Sequence, residues 1–320
     1  MTTITLDDLQ ASVIDKFAFG ELEHYFTLSH AFLALLEETQ PTRIVSPTHH
    51  NYIFFQYNEN YDHRITRPLN TELFIETADD FRTIFERFVD FLSDLKKLEK
   101  SIVDHAAKRV YLETNEINKV VYTIQQSVGS IGDSFDNPNQ CRKRVGQLFE
   151  NLVKRIVQEL GLECESRRVT VPIPGHPDCT MSYDLDLVFS RKKAIVTSET
   201  EFIHPAEVVG SVKTTSKDRI DKVFLDKYLL AQLLGREIRV VAIFLHDVQR
   251  ARRSHSIFGI NSTFKSNHFI GYTVALNRLD GVYYVDPRPE MTTDERLRGE
   301  ISDFQHFLTH DLWVLSDAVG

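Results

Sequence analysis

The amino-acid sequence predicts a mixed α/β (α+β) protein: a mixed β-sheet core flanked by helices, with a mainly helical N-terminal region before it. Three observations lead there. Apolar residues recur at helical spacing through most of the first 130 positions. After residue 160 the period changes to alternation, the signature of half-buried strands. Later segments run helix, strands, helix, strand, the order of a sheet covered by helices.

Taken along the chain, DDFRTIFERFVDFLSDLKKLEKSIVDH carries Phe81, Ile84, Phe85, Phe88, Phe91 and Leu92 at helical spacing. An aromatic stripe of this kind is core packing. HHNYIFFQYNENYDHRITRPLN reads as irregular chain or short strand. SVGSIGDSFDNPNQ, residues 127–140, is rich in Gly, Ser, Asn and Asp and reads as a break. It sets a boundary between a helical region, 1–130, and a second domain, 131–320. A helix is expected over Arg142–Leu160, with Val145, Leu148, Phe149, Leu152, Ile156 and Leu160 buried and Gly161 as its C-cap. LECESRRVTVPIP is a strand. MSYDLDLVF alternates, with Tyr183, Leu185, Leu187 and Phe189 on one face and Ser182, Asp184, Asp186 and Val188 on the other. SRKK is a turn, AIVTSETEF an antiparallel return strand, and AEVVGSVKT a further strand. KDRIDKVFLDKYLLAQLLG is a helix, N-capped by Ser216 and stopped at Gly235. REIRVVAIFLHDV is a buried strand, and ISDFQHFLTHDLWVLSD is a packing helix with Trp313 in the core.

Composition narrows the function. No apolar run approaches the roughly 20 residues needed to span a bilayer, and MTTITLDDLQ lacks the basic start and apolar core of a secretion signal. Three widely spaced cysteines, Cys141, Cys164 and Cys179, fit a reducing compartment and no disulfide framework. A cytoplasmic location and no membrane partner are expected. The net charge is −9, which counts against nucleic acid only weakly, because phosphate contacts need local basic patches. Two exist: Arg142, Lys143 and Arg144, and then Arg250, Arg252 and Arg253.

The chemistry-bearing residues cluster after the break. Asp184 and Asp186 lie about 7 Å apart along one strand face, and two sequestered carboxylates repel unless a hard cation offsets them. On the next strand Glu207, Val209, Ser211 and Lys213 share a face. Lys213 ends that strand, where an ammonium can stabilise a pentavalent phosphate beside a metal-activated water. Lys217 and Arg219 follow at once, in position for backbone phosphates. The segment HDVQRARRSHSIFGINSTFKSNH, including Asn261, is long, basic and polar, and reads as a base-recognition loop, since Arg pairs with guanine and Asn with adenine.

These residues resemble the PD-(D/E)XK nuclease superfamily, and within it the type II restriction endonucleases, over about residues 140–250. GQLFENLVKRIVQELG resembles the first core helix, with Glu150 at its acidic position. YDLDLVF resembles the strand of the metal aspartate, and GSVKTTSKDR the strand ending in the catalytic lysine. The resemblance implies a restriction-endonuclease-like fold, Mg²⁺ with Mn²⁺ able to substitute, sequence-specific hydrolysis of double-stranded DNA, a homodimer, and a DNA methyltransferase in the same bacterial or archaeal system. It makes 131–320 the catalytic domain and leaves 1–130 for dimerisation or DNA contacts. One position departs: Ser211 stands where the pattern has Asp or Glu. Restriction enzymes of CCGG-like and CCNGG-like sites share this S-x-K form and take the missing acid from the following helix, thirteen or fourteen residues after the lysine. Asp226 lies thirteen after Lys213 and is preferred, with Glu207 the rival. Asp186 is preferred to Asp184 as metal ligand, and the literal Pro177-Asp178 is taken as a decoy. A DNA-binding protein on an inactive nuclease core is the alternative. A nucleotidyltransferase is disfavoured, because the Gly129-Ser130 pair lies too far upstream of the D-x-D strand.

Overall fold

The computed structural model describes residues 4–15, 17–98, 113–191, 202–251 and 256–317. It divides into two compact units. The first comprises Met1–Phe91, Val110–Arg155 and Asp247–Thr263; the second comprises Leu92–Arg109, Ile156–His246 and Phe264–Gly320. No helix among the described residues is long and apolar enough to cross a membrane.

The first unit holds α1 (Leu6–Ile14) and α2 (Leu22–Thr39), the strands β1 (Thr42–Val45), β2 (Tyr52–Gln56) and β3 (Leu69–Asn70), most of α3 (Ala78–Leu98), α4 (Glu116–Gly132) and most of α5 (Pro138–Glu159). The stretch read as irregular chain or short strand supplies β2 and β3 of a three-stranded antiparallel sheet, β1-β2-β3, whose β1 precedes it. The aromatic stripe of α3 is core: Phe81 and Phe85 stack on Phe26.

The expected break at 127–140 is mostly helix. α4 runs through Gly132 and is buried on nearly every side. Its polar residues satisfy neighbouring backbone. The Gln125 side chain donates to the Val145 carbonyl, that of Gln126 donates to the Pro68 carbonyl, and the Thr123 hydroxyl accepts from the Ile75 N–H. The small residues at its end, Ser127, Gly129, Ser130 and Gly132, make this part of a buried helix look like a loop in sequence. Gly129 is small for a packing reason: a Cβ there would fall on the Arg67 guanidinium, which Asp133 holds from both Oδ1 and Oδ2. Gly129→Ala is therefore expected to cost about 1–3 kcal/mol through overpacking, read as a lower urea midpoint with an unchanged m-value.

The second unit is built on one mixed six-stranded sheet, so the predicted fold class is correct. After β4 (Glu163–Ile173), β5 (His176–Ser190) and β6 (Val208–Thr215) come α6 (Ile220–Leu234) and β7 (Arg239–His246). β8 (Val248–Ala251) and β9 (Gly259–Ser262) form a separate hairpin belonging to the first unit. Then follow α7 (Ser266–Ala275), β10 (Gly281–Tyr284), α8 (Pro289–Thr293) and β11 (Ile301–Asp303). A final helix, α9, is made of the contiguous pieces Phe304–His306, Phe307–Asp311 and Leu312–Asp317, the middle one a π turn. The sheet order is β11-β10-β7-β6-β5-β4. The β4–β5 and β5–β6 pairs are antiparallel; β6–β7, β7–β10 and β10–β11 are parallel. The segment read as a return strand, 194–202, lies outside the described residues except for Phe202.

Three local details matter for the site. Gly161 and Gly235 end their helices in the left-handed region, as their placement predicts. Ser216 does not cap α6: the cap position is Arg219, and the buried Ser216 hydroxyl makes no hydrogen bond. The strict alternation of β5 also fails, because Asp186 and Leu187 together stand opposite the single residue Ser166. The partners jump from Glu165↔Val188 to Arg167↔Leu185. This β-bulge puts Tyr183, Leu185 and Val188 in one core cluster and leaves Leu187 out of it. A bulge bends a strand and re-aims the side chains at it.

Candidate active site

The residue re-aimed is Asp186. β5 pairs with β6 only over Leu187–Phe189, and beyond the bulge the Asp186 carboxylate fills the gap in the ladder. Its Oδ2 accepts from the Val212 N–H at 2.9 Å and from the Ser211 hydroxyl at 3.3 Å. Lys213 Nζ donates to the same oxygen at 2.5 Å. Both side chains are partly screened from water, Asp186 being 15% exposed and Lys213 29%. The face carrying Ser211 and Lys213 is fixed by register: they pair with Ala242 and Phe244, members of the core cluster that also takes Val223 and Phe224 from α6. The lysine thus emerges at the end of β6, anchored below by apolar packing and beside by the acid.

Asp184 is not brought to this point. It is 81% exposed, with Arg168 at 3.7 Å, because the bulge separates it from the residue two places on. Asp178 belongs to β5 rather than to a loop, but it is exposed, lies at an irregularity of the β4–β5 ladder, and is outside the stretch of β5 that pairs with β6. Glu207 faces other work. Arg167 grips it bidentately at 3.0 and 2.7 Å, the His204 N–H donates to it at 2.7 Å, and only 4% of it is exposed.

Asp226 lies on α6, 33% exposed, with Lys222 at 2.9 Å. It faces β5: burial first, and then the Asp226 carboxylate, raises the Tyr183 phenol above its ordinary pKa. The opposite face of α6 is buried, through Val223, Phe224 and Ala231.

The remaining predicted residues are distributed more widely. Lys217 and Arg219 are exposed in the turn between β6 and α6. Glu150 is half-buried on α5 within the first unit. Asn261 is exposed on β9, also in the first unit. Arg250 is engaged internally: its guanidinium donates to the carbonyls of Ile65 and Thr66 and sits 5.5 Å from the Phe54 ring centre. The expected recognition loop is there a packed hairpin, with Val248 and Ile260 against Tyr52 and Phe54. Arg252 and Arg253 lie outside the described residues.

Sequence reasoning missed Arg167. Glu165 and Arg167 lie on β4 and Glu207 just before β6, with β5 between those strands, so the pairing requires the sheet order.

With its six-stranded mixed sheet flanked by helices, the chain has the restriction-endonuclease fold. Its full length is similar to the crystal structure of the Type IIP restriction endonuclease Kpn2I, with a TM-score of 0.68 over 98% of each chain at 18% identity. A weaker likeness, TM-score 0.40 and 14% identity over 74% of this chain and 91% of the other, is to the PspGI restriction endonuclease in complex with substrate DNA. No family model and no curated protein matches the sequence.

Proposed function

We propose that the chain is a type II restriction endonuclease that hydrolyses double-stranded DNA at a specific sequence with Mg²⁺, leaving 5′-phosphate and 3′-hydroxyl ends. The observation that carries the reading is the approach of Lys213 Nζ to Asp186 Oδ2 at 2.5 Å in the S-x-K context, within this fold.

The residues suit a hard divalent ion. Oδ2 of Asp186 is taken by three donors, and no hydrogen bond to Oδ1 occurs among the described residues. Mg²⁺ is usually held by one or two carboxylates together with waters and substrate phosphate oxygens. Asp186 supplies the first carboxylate and Asp226 the second, replacing the acid absent at Ser211; Glu207, consumed by Arg167, is set aside. When bound, the ion lowers the pKa of the attacking water and offsets charge on the phosphate.

The protein's own groups do the rest. Asp186 holds Lys213 in one orientation, so little reorganisation is needed when a phosphate arrives. Lys213 then turns an N–H toward a non-bridging oxygen and stabilises the charge that grows there. Glu150 is assigned a catalytic role on the family resemblance alone. Lys217, Arg219 and the arginines 252 and 253 meet backbone phosphates, and Asn261 reads a base edge. A symmetric site cut on both strands calls for a two-fold homodimer, and the host's own DNA requires a methyltransferase of the same specificity. Such a system works in the cytoplasm.

Incubation of the purified protein with plasmid and Mg²⁺, followed by mapping of the ends, tests this reading. Discrete ends at a symmetric sequence, also formed with Mn²⁺, are expected. Binding without cutting in either metal would instead favour the inactive DNA-binding alternative suggested by Ser211. Asp226→Asn is expected to lower the cleavage rate by about 10²-fold, on the scale of losing one transition-state-stabilising group. Lys222→Ala should leave the rate near wild type, which separates a metal role for Asp226 from an ion-pair role.

A further inference from the structure

Across the sheet from Lys213, the π turn of α9 gathers three metal-ligating side chains. In a helix of α type, residues five apart diverge. The i→i+5 pattern of a π turn brings them under one another, and such turns concentrate at functional sites. Here His306, His310 and Asp311 each offer a ligand atom, all within 4.8 Å of one another. Asp311 Oδ1 lies 2.6 Å from His310 Nδ1 and 3.4 Å from His306 Nε2. The two imidazoles stack at 5.0 Å.

The carboxylate is held in place. Asp311 Oδ2 accepts from the Tyr283 hydroxyl at 2.7 Å, and Tyr283 is a buried residue of β10, one place out of register with the face that carries Lys213. A carboxylate oriented by an outer hydrogen bond is the supporting shell that metal ligands normally have. Beside it opens a cleft of about 400 Å³, lined by Asp280, Glu300, Ser302 and Asp311 among others, which provides a path for an ion.

We propose that His306, His310 and Asp311 bind a first-row transition ion of the zinc class, at a site distinct from the Asp186–Lys213 centre. Two imidazole nitrogens and one carboxylate oxygen suit Zn²⁺ and its neighbours, whereas Mg²⁺ prefers oxygen throughout. Tetrahedral zinc with bonds of about 2.0–2.1 Å sets its ligand atoms about 3.3 Å apart, close to the His306–Asp311 separation. Three protein ligands leave a fourth position for water. Because Asp311 is tied to the sheet through Tyr283, binding fastens the π turn to β10 and stabilises the fold.

The test is titration of EDTA-stripped full-length protein with Zn²⁺ by calorimetry, and with Co²⁺ by visible absorption. Wild type should bind one equivalent that Mg²⁺ does not displace, give the intense visible bands of low-coordinate Co²⁺, and melt at a higher temperature with zinc. His306→Ala and His310→Ala, each checked for an unchanged metal-free melting temperature, should weaken this binding about 100-fold. Asp186→Asn should keep it. The proposal is overturned if wild type takes up no zinc, if the histidine variants bind as wild type does, or if Asp186→Asn alone abolishes binding.

Discussion

Lys213→Ala should reduce the rate of DNA cleavage by at least about 10²–10³-fold, the scale seen when one group aimed at transition-state charge is removed, while DNA binding changes far less. The reason lies in how the lysine is placed. Its ammonium stands near the end of β6, is bonded to Asp186 at 2.5 Å and is 29% exposed, so it can be offered to a phosphate. Removal should not unfold the protein, because Asp186 keeps the Val212 N–H and the Ser211 hydroxyl. Single-turnover cleavage, gel-shift binding in Ca²⁺ and a melting curve on the same preparation separate these effects. A variant that binds and melts like wild type and still cuts at the wild-type rate would remove Lys213 from the chemistry.

Arg167→Ala should produce the largest loss of stability. It leaves Glu207 as a carboxylate only 4% exposed, with the His204 N–H as its remaining hydrogen-bond donor. Breaking a buried ion pair from one side costs about 3–5 kcal/mol, because the abandoned charge stays buried. Urea unfolding should show a loss near the lower end of that range, since Arg167 itself is 19% exposed and linked also to Glu165. The pair can be replaced: Arg167→Met with Glu207→Leu should recover most of the stability. Well below its melting temperature, Arg167→Ala should cleave DNA at a rate near wild type. Selective loss of cleavage in the folded variant would return Glu207 to the candidate metal ligands.

Much of the second unit is legible in the chain. Alternation locates β5 and β6, an apolar run locates β7, helical spacing with Gly161 and Gly235 bounds α5 and α6, and the S-x-K of β6 points to Lys213. What period-2 reasoning cannot see is a bulge. It reads straight through Asp186 and Leu187, and so makes Asp184 and Asp186 equivalent when only Asp186 meets the lysine. The same blindness hides the end of α4, whose Ser127, Gly129, Ser130 and Gly132 look like loop chemistry until their burial is known. Arg250 reads as a DNA-facing cation because sequence carries no sign of the carbonyls of Ile65 and Thr66 that it serves. Sheet order is equally hidden: the Arg167–Glu207 pair reaches across β5, from β4 to the residue before β6, between positions forty residues apart in the chain. The π turn of α9, finally, has no sequence pattern of its own, and the His306–His310 spacing alone reads as an ordinary helix face.

The decisive measurement is anomalous diffraction from crystals of the full chain with its cleavable DNA and Mn²⁺. A manganese peak bonded to Asp186 is expected, with Lys213 Nζ at the scissile phosphate and Asp226 turned from Lys222 toward the ion. A peak held by Glu207 or Asp184, or a scissile phosphate remote from Lys213, would refute the assignment of this centre.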